Sequence, residues 1–171
     1  MLSAVDARLF YLINRSFTNP FLDRLMPLVS ALGSGEGVFV VALLVILFNL
    51  KKREKRIAGV VLLAGLTLGF YIIFPLKNWI ARPRPFMTLT GVHLIERARD
   101  FSFPSGHAAT AFMAAAILSG FFKRYSVLFY LLAVAIAFSR VYMGVHYVSD
   151  VVAGALLGSA IGYALVKVSK G

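Results

Sequence analysis

Residues Ala58–Leu76 read AGVVLLAGLTLGFYIIFPL, nineteen residues without a single charge. A helix of about 20 apolar residues crosses the hydrocarbon core of a bilayer. Val148–Val166, VSDVVAGALLGSAIGYALV, has the same length, with one acidic residue near its start. Working outward, three further apolar stretches run Val38–Leu50, Ala108–Phe122 and Ser126–Tyr142. The first becomes long enough if its helix starts near Leu32, the other two if they include their polar ends. Lipid offers the backbone no water, so the spans must be helices. The alternating strands a barrel needs are missing. The expected fold is all-α, a multi-pass transmembrane helical bundle of five spans, with residues 1–171 forming one domain. Phe21–Leu32 carries Asp23, Arg24 and Pro27 and reads as a short or half-inserted helix, leaving a sixth span open. Ser3–Arg15 is amphipathic and predicts a helix lying in the interface.

Composition agrees. Hydrophobic residues make up 60% of the chain and charged residues 15%, and the mean hydropathy is +0.83. These values exclude an ordinary soluble domain and a disordered chain. Eighteen Lys and Arg against seven Asp and Glu give a net charge of +11. In a membrane chain this excess points to loops beside anionic lipid and to a site for an anion, not to nucleic acid. Cysteine is absent, so disulfides, thiolate metal sites and a Cys nucleophile are excluded. Asp6 and Arg8 interrupt the place where the apolar run of a cleavable signal would start. The block Lys51, Lys52, Arg53, Lys55, Arg56 sets orientation by the positive-inside rule. By alternation, Lys77–Pro104 and the turn at Gly144 then face the extracytoplasmic side.

Two glycine patterns have plain readings. Gly33-Ser34-Gly35-Glu36-Gly37 lacks the Gly-Lys-Ser/Thr ending of a phosphate loop and reads as a helix break. Gly154, Gly158 and Gly162 recur every four residues and predict a smooth face for close helix packing within the chain.

Three polar clusters sit where apolar residues would be expected. They are Lys77, Arg82 and Arg84 with Pro83 and Pro85; Pro104-Ser105-Gly106-His107; and Ser139-Arg140 with His146 and Asp150. Threading brings all three to one membrane face. Pro104 suits a first helical turn, and Ser105 and Gly106 then offer a hydroxyl and free N–H groups at a helix N-terminus, an anion site. Gly144 can end one helix and turn the chain. His146 and Asp150, four apart, share a face if both lie on the last helix. The carboxylate would then orient the imidazole and leave its other nitrogen basic, as for a nucleophile or general base. Lys77, Arg84 and Arg140 have only Asp150 as a partner by sequence logic. Such a cluster calls for an anion, and phosphate matches guanidinium geometry best. Two His and one Asp could ligate a metal, but the surrounding cations would repel one; no metal or cofactor is expected.

Lys77, six residues, Arg84-Pro85; Pro104-Ser105-Gly106-His107; Ser139-Arg140, five residues, His146, three residues, Asp150: this resembles the three-part signature of the type 2 phosphatidic acid phosphatase (PAP2) superfamily. The match spans residues 77–150 without departure. The resemblance implies a metal-independent lipid phosphatase of the compact bacterial kind, embedded in the plasma membrane with its site outward. By position, His146 resembles the nucleophile that forms a phosphohistidine, Asp150 its orienting partner, and His107 the general acid. Lys77, Arg84, Ser105, Gly106 and Arg140 resemble the phosphate cradle. Substrates known for that group are undecaprenyl diphosphate, lipid A 1-phosphate and phosphatidylglycerol phosphate. The oligomeric state is not legible.

Other polar residues read more simply. Arg82 lies outside the motif and suits lipid-surface binding. His93 stands without a partner, Arg97 and Arg99 are solvated loop charges, and Ser139 packs or bonds back to its helix. The apolar loop residues Phe86, Met87, Leu89, Leu94 and Ile95 predict a loop resting in the headgroup region. Two other functions share parts of the pattern. A vanadate-dependent haloperoxidase would share the cradle but not the spans. A lipid or anion transporter would place its charges nearer the midplane.

Overall fold

The structure is a computed structural model and describes residues 4–171. Ser3, where the interfacial helix is expected to begin, lies outside the described residues. Among those described, every regular element is helical. Helix α1 is Ala4–Ser16, α2 Pro20–Ala31, α3 Gly35–Phe48, α4 Arg53–Ile80, α5 Pro85–Thr88, α6 Gly106–Phe121, α7 Ser126–Tyr142 and α8 Val148–Lys170. A single 3₁₀ turn, Lys123–Tyr125, joins α6 to α7.

Length and composition alone mark fewer crossings than the five expected. Among the described residues, three stretches are long and apolar enough to cross a membrane: Arg53–Thr88, Lys123–Tyr142 and Val148–Lys170. A fourth arises if α2 and α3 are one broken span, bent by 61°. The expected helix does not begin at Leu32. Asn19 caps α2, which ends at Ala31, and Ser34 then caps a new helix by accepting from the Gly37 N–H. The glycine-rich run is therefore the break its composition predicts.

Helix α6 is only 16 residues long, but it is apolar on every side and occupies the middle of the bundle. Such a helix belongs in a core. Met113 and Ile117 pack there against Val38, Ala42, Val61, Leu62 and Ile161. Its most intimate neighbour is α8. A Cβ on Gly158 would stand 2.0 Å from the Ala109 carbonyl oxygen, and one on Gly154 2.4 Å from that of Ser105. The four-residue glycine spacing thus lets two backbones touch inside one chain. Leu128, Leu131 and Leu156 point outward and stay exposed, as lipid-facing side chains must.

Helix α1 buries Asp6, Phe10 and Asn14, one stripe four residues apart, against the bundle. Asn14 donates to the carbonyls of His93 and Tyr142 at 2.8 Å and accepts from the His93 N–H at 2.9 Å. This ties the N-terminal helix to the long loop and to α7. The loop packs much of its apolar surface on protein. Phe86, Leu94 and Ile95 cover Met26, Tyr142, Met143 and Val145, and only Met87 is largely exposed.

Candidate active site

Four segments meet at one end of α6. Helix α4 delivers Lys77 in its last turn and ends in a left-handed residue, Ala81 at φ 49°. The connector that follows carries Arg82 and Arg84. Helix α6 begins at Gly106, with Ser105 as N-cap accepting from the Ala108 N–H. Pro104 stands ahead of that cap, two residues before the helix, so it is not in the first turn as its type suggests. Helix α7 brings Arg140, and Gly144 at φ 80° turns the chain toward α8. At that φ a side chain would be strained, and a Cβ would also meet the His93 carbonyl at 2.7 Å.

His146 does not lie on α8. It precedes the N-cap, Tyr147, whereas Asp150 is the third helical residue and closes a capping box. The two still meet, with His146 Nδ1 3.5 Å from Asp150 Oδ2. That is too long for a formed hydrogen bond, and buried Nδ1 has no other partner among the described residues. The Asp150 carboxylate, fully buried, is held by the Tyr147 N–H at 2.9 Å, by the Ser102 hydroxyl and by Arg82.

The other imidazole nitrogen, His146 Nε2, lies 3.3 Å from Arg84 Nη1. A guanidinium only donates, so Nε2 must present its lone pair. The proton then sits on Nδ1, facing Asp150. Burial pushes the His146 imidazole far below its ordinary value. Asp150 opposes this, while Arg84 and Arg140 add to it. The ring is therefore neutral at physiological pH.

The cations are not left waiting for an anion. Asp100, from the loop before α6, bridges two of them: Oδ2 is 2.5 Å from Lys77 Nζ and Oδ1 2.5 Å from Arg84 Nη2. Glu96 faces Arg140 Nη1 at 3.5 Å, and the buried Arg140 Nε has no partner among the described residues. The expectation that only Asp150 lies near the cluster is thus corrected. Burial would raise the Asp100 carboxyl, but Lys77 and Arg84 outweigh it and hold it at about 2. Two further readings change. Arg82 turns inward to Asp6 and Asp150 instead of reaching lipid. His93 has a partner, Asp23, at 2.8 Å. Ser139 bonds back to the Ile136 carbonyl at 2.6 Å, as its place in a helix predicts.

A cavity of about 660 Å³ opens beside this cluster. Phe39 and Val40 of α3 and Leu66, Phe70, Ile73 and Phe74 of α4 form apolar walls, and Lys77, Asp100, Gly106 and His107 line it as well. A Cβ on Gly106 would meet nothing within 4 Å, so its backbone faces open space. Among the described residues no group of three His, Cys, Asp or Glu side chains is placed to hold a metal ion.

The family profile of the PAP2 superfamily matches residues 58–171. The chain belongs to the PAP2 superfamily. All eight motif residues of the cluster fall inside the matched region. A curated PAP2-type relative, the undecaprenyl-diphosphatase of Sulfolobus acidocaldarius, is 33% identical over 165 residues, covering 95% of this chain and 78% of its own. Phosphatidylglycerophosphatase B of Bacillus subtilis is 32% identical over 152 residues, covering 81% and 71%. Among solved PAP2 structures, Aquifex aeolicus LpxE superposes with a TM-score of 0.84 at 33% identity, over 96% of both chains. The chain is accordingly a PAP2 phosphatase, an enzyme that hydrolyses phosphate esters, in a helical membrane protein.

Asp100, Glu96, Ser102 and Arg82 join the PAP2 cluster through contacts that sequence spacing did not reveal. The signal available was charge: Asp100 and Glu96 are the two acidic residues in the basic loop between Lys77 and Pro104.

Proposed function

We propose that this PAP2 enzyme removes the terminal phosphate of a membrane lipid phosphate or diphosphate through a phosphohistidine. The observation that carries the reading is the 3.3 Å contact between Arg84 Nη1 and His146 Nε2. It gives the buried imidazole a lone pair aimed at a guanidinium, where a phosphoryl oxygen would bind.

In the first half-reaction, His146 Nε2 attacks phosphorus and the bond to the ester oxygen breaks. His107 gives its proton to the departing oxygen. The Nδ1–H of His146 faces Asp150, whose charge stabilises the phosphorylated ring. In the second, water attacks phosphorus, its proton passes to His107, and the N–P bond breaks to free inorganic phosphate. Lys77, Arg84, Arg140, the Ser105 residue and the Gly106 amide cradle the phosphoryl oxygens. No step calls for a metal.

The apolar cavity between α3 and α4 supports a lipid tail as the rest of the substrate, since its walls lead along α4 to Lys77. Undecaprenyl diphosphate and lipid A 1-phosphate come first as candidates, then phosphatidylglycerol phosphate. We read the bundle as five crossings in a single domain, with α6 as the short central one and α2 as a half-inserted helix. The basic block at 51–56 then faces the cytoplasm and the site faces outward.

Phosphate release from a panel of these lipids in detergent tests the reading. Turnover should resist chelators, stop with vanadate, and vanish in His146→Ala while the fold survives. Full activity in that variant would overturn it.

A further inference from the structure

Arg82 is none of the eight motif residues and does not line the cavity, yet its guanidinium is among the most engaged in the molecule. Nη1 donates to Asp150 Oδ1 and, at 2.7 Å, to Ser149 Oγ. Nη2 donates to Asp6 Oδ2 at 2.6 Å. The plane lies 4.1 Å over the Tyr147 ring. Asp6 also accepts from the Ser149 N–H at 3.1 Å and from its hydroxyl at 2.5 Å. A chain of charges, Asp6–Arg82–Asp150, therefore runs from α1 through the 81–84 connector to α8 and ends beside His146.

We propose that Arg82, held in place by Asp6, is a positioning residue that neutralises part of the Asp150 charge and so keeps His146 in its uncharged, attacking form. The proposal rests on His146 being the nucleophile, but its test does not.

The physics is a balance of fields. An imidazole beside an unshielded carboxylate gains protons, because the anion favours the cationic ring. A protonated Nε2 has no lone pair and cannot attack. The groups facing His146 are Arg84 from the connector, Arg140 from α7 and Asp150 from α8. Two are cationic, and only Asp150 pulls toward protonation. Arg82 shares that carboxylate without touching the ring, so it weakens the pull while leaving Asp150 ionised for the phosphorylated state. Asp6 fixes the guanidinium where it can do this: Arg82 is one-fifth exposed and would otherwise turn to water. Asp6 also lends α1, a helix outside the matched family region, a direct mechanical hold on the site.

The experiment is histidine-selective ¹⁵N NMR of the full-length protein in detergent, with pH titration. Only His93, His107 and His146 give signals, and His146 is assigned by its loss in His146→Gln. Wild-type His146 should stay neutral, with its proton on Nδ1, down to about pH 5. Arg82→Gln should raise its titration by roughly half a pH unit or more, the range for losing one neighbouring charge. The acid limb of the kcat–pH profile should move up by the same amount, with KM changed less than threefold. Asp6→Asn releases the Arg82 guanidinium, so it should raise the titration in the same direction as Arg82→Gln, but by less. Arg82→Lys keeps the charge but not the two-carboxylate bridge, and should shift it less than half as far as Gln. An unchanged His146 titration in Arg82→Gln, or Arg82 and Asp6 variants moving in opposite directions, would overturn the proposal. Should Arg82→Gln fail to fold, Asp6→Asn decides: a raised titration supports the proposal and an unchanged or lowered one overturns it. Activity surviving in His146→Ala would instead sink the assigned nucleophile and leave the titration result standing.

Discussion

Asp100 spans Lys77 and Arg84, with one carboxylate oxygen 2.5 Å from each cation. A carboxylate in this position presents two oxygens much as a phosphate would. It holds the ammonium and guanidinium side by side, and a substrate phosphoryl group must compete with it.

Asp100→Asn should therefore lower KM for a lipid phosphate several-fold and strengthen inhibition by inorganic phosphate, while kcat changes little. Steady-state kinetics on one substrate, with a phosphate inhibition series, checks this. Asp100 is held at about 2, below its unfolded value near 4. Its contribution is present above the unfolded value and lost only as pH falls through about 2. The KM difference should thus be constant from pH 5 to 8.

His146 sets a different pH response. Its folded-state value is depressed by burial, so the unfolded chain binds a proton first as pH falls. Stability from this group is intact above about 6.5 and declines below it, by up to about 1.4 kcal/mol per pH unit for one proton. Thermal unfolding in detergent between pH 7.5 and 4.5 should show that slope. His146→Gln should make it shallower.

His107→Ala should cost about 10²- to 10⁴-fold with an alkyl lipid phosphate, the usual worth of a general acid. With p-nitrophenyl phosphate, whose leaving group needs little protonation, the loss should be at least tenfold smaller. Equal losses on both substrates would remove His107 from the role.

Gly69→Phe would fill the apolar cavity that runs between α3 and α4. KM for a long-chain lipid phosphate should rise at least fivefold, while turnover of a short soluble phosphate stays near wild type. The ratio of the two activities is the readout.

Gly158→Ala puts a Cβ 2.0 Å from the Ala109 carbonyl. Backbone on both sides cannot yield cheaply, and overpacking of this kind costs about 1–3 kcal/mol. Loss of thermal stability in detergent checks this.

What the sequence makes legible is local or periodic. The apolar runs, the glycine break at 33–37 and the four-residue glycine face are of this kind, and each of the three motifs carrying Lys77 and Arg84, Ser105, Gly106 and His107, and Arg140, His146 and Asp150 spans no more than a few helical turns and the turn beside them. Helix length was harder: Ala108–Phe122 reads as a span, yet α6 has only 16 residues and owes its place to neighbours on every side. The partners that tune the site are farther apart still. Asp6 meets Arg82 across 76 residues and Arg140 meets Glu96 across 44. No periodicity encodes such pairs, because they depend on how the loop folds back over the bundle. His146 and Asp150 show the same limit at short range. Four residues apart, they suggest one helical face, but the capping box at Tyr147 starts the helix after His146.

Acid-sensitive phosphate on a single histidine is the most direct test of the mechanism. Protein mixed with ³²P-labelled lipid phosphate and quenched in alkali within one turnover should carry base-stable, acid-labile label on the peptide containing His146, bonded at Nε2. The label should be absent in His146→Gln and should accumulate in His107→Ala when the substrate is labelled p-nitrophenyl phosphate, whose departure needs little protonation while hydrolysis of the phosphohistidine is slowed. Labelled phosphate released at full rate with no phosphorylated peptide, or label on any other residue, would contradict it.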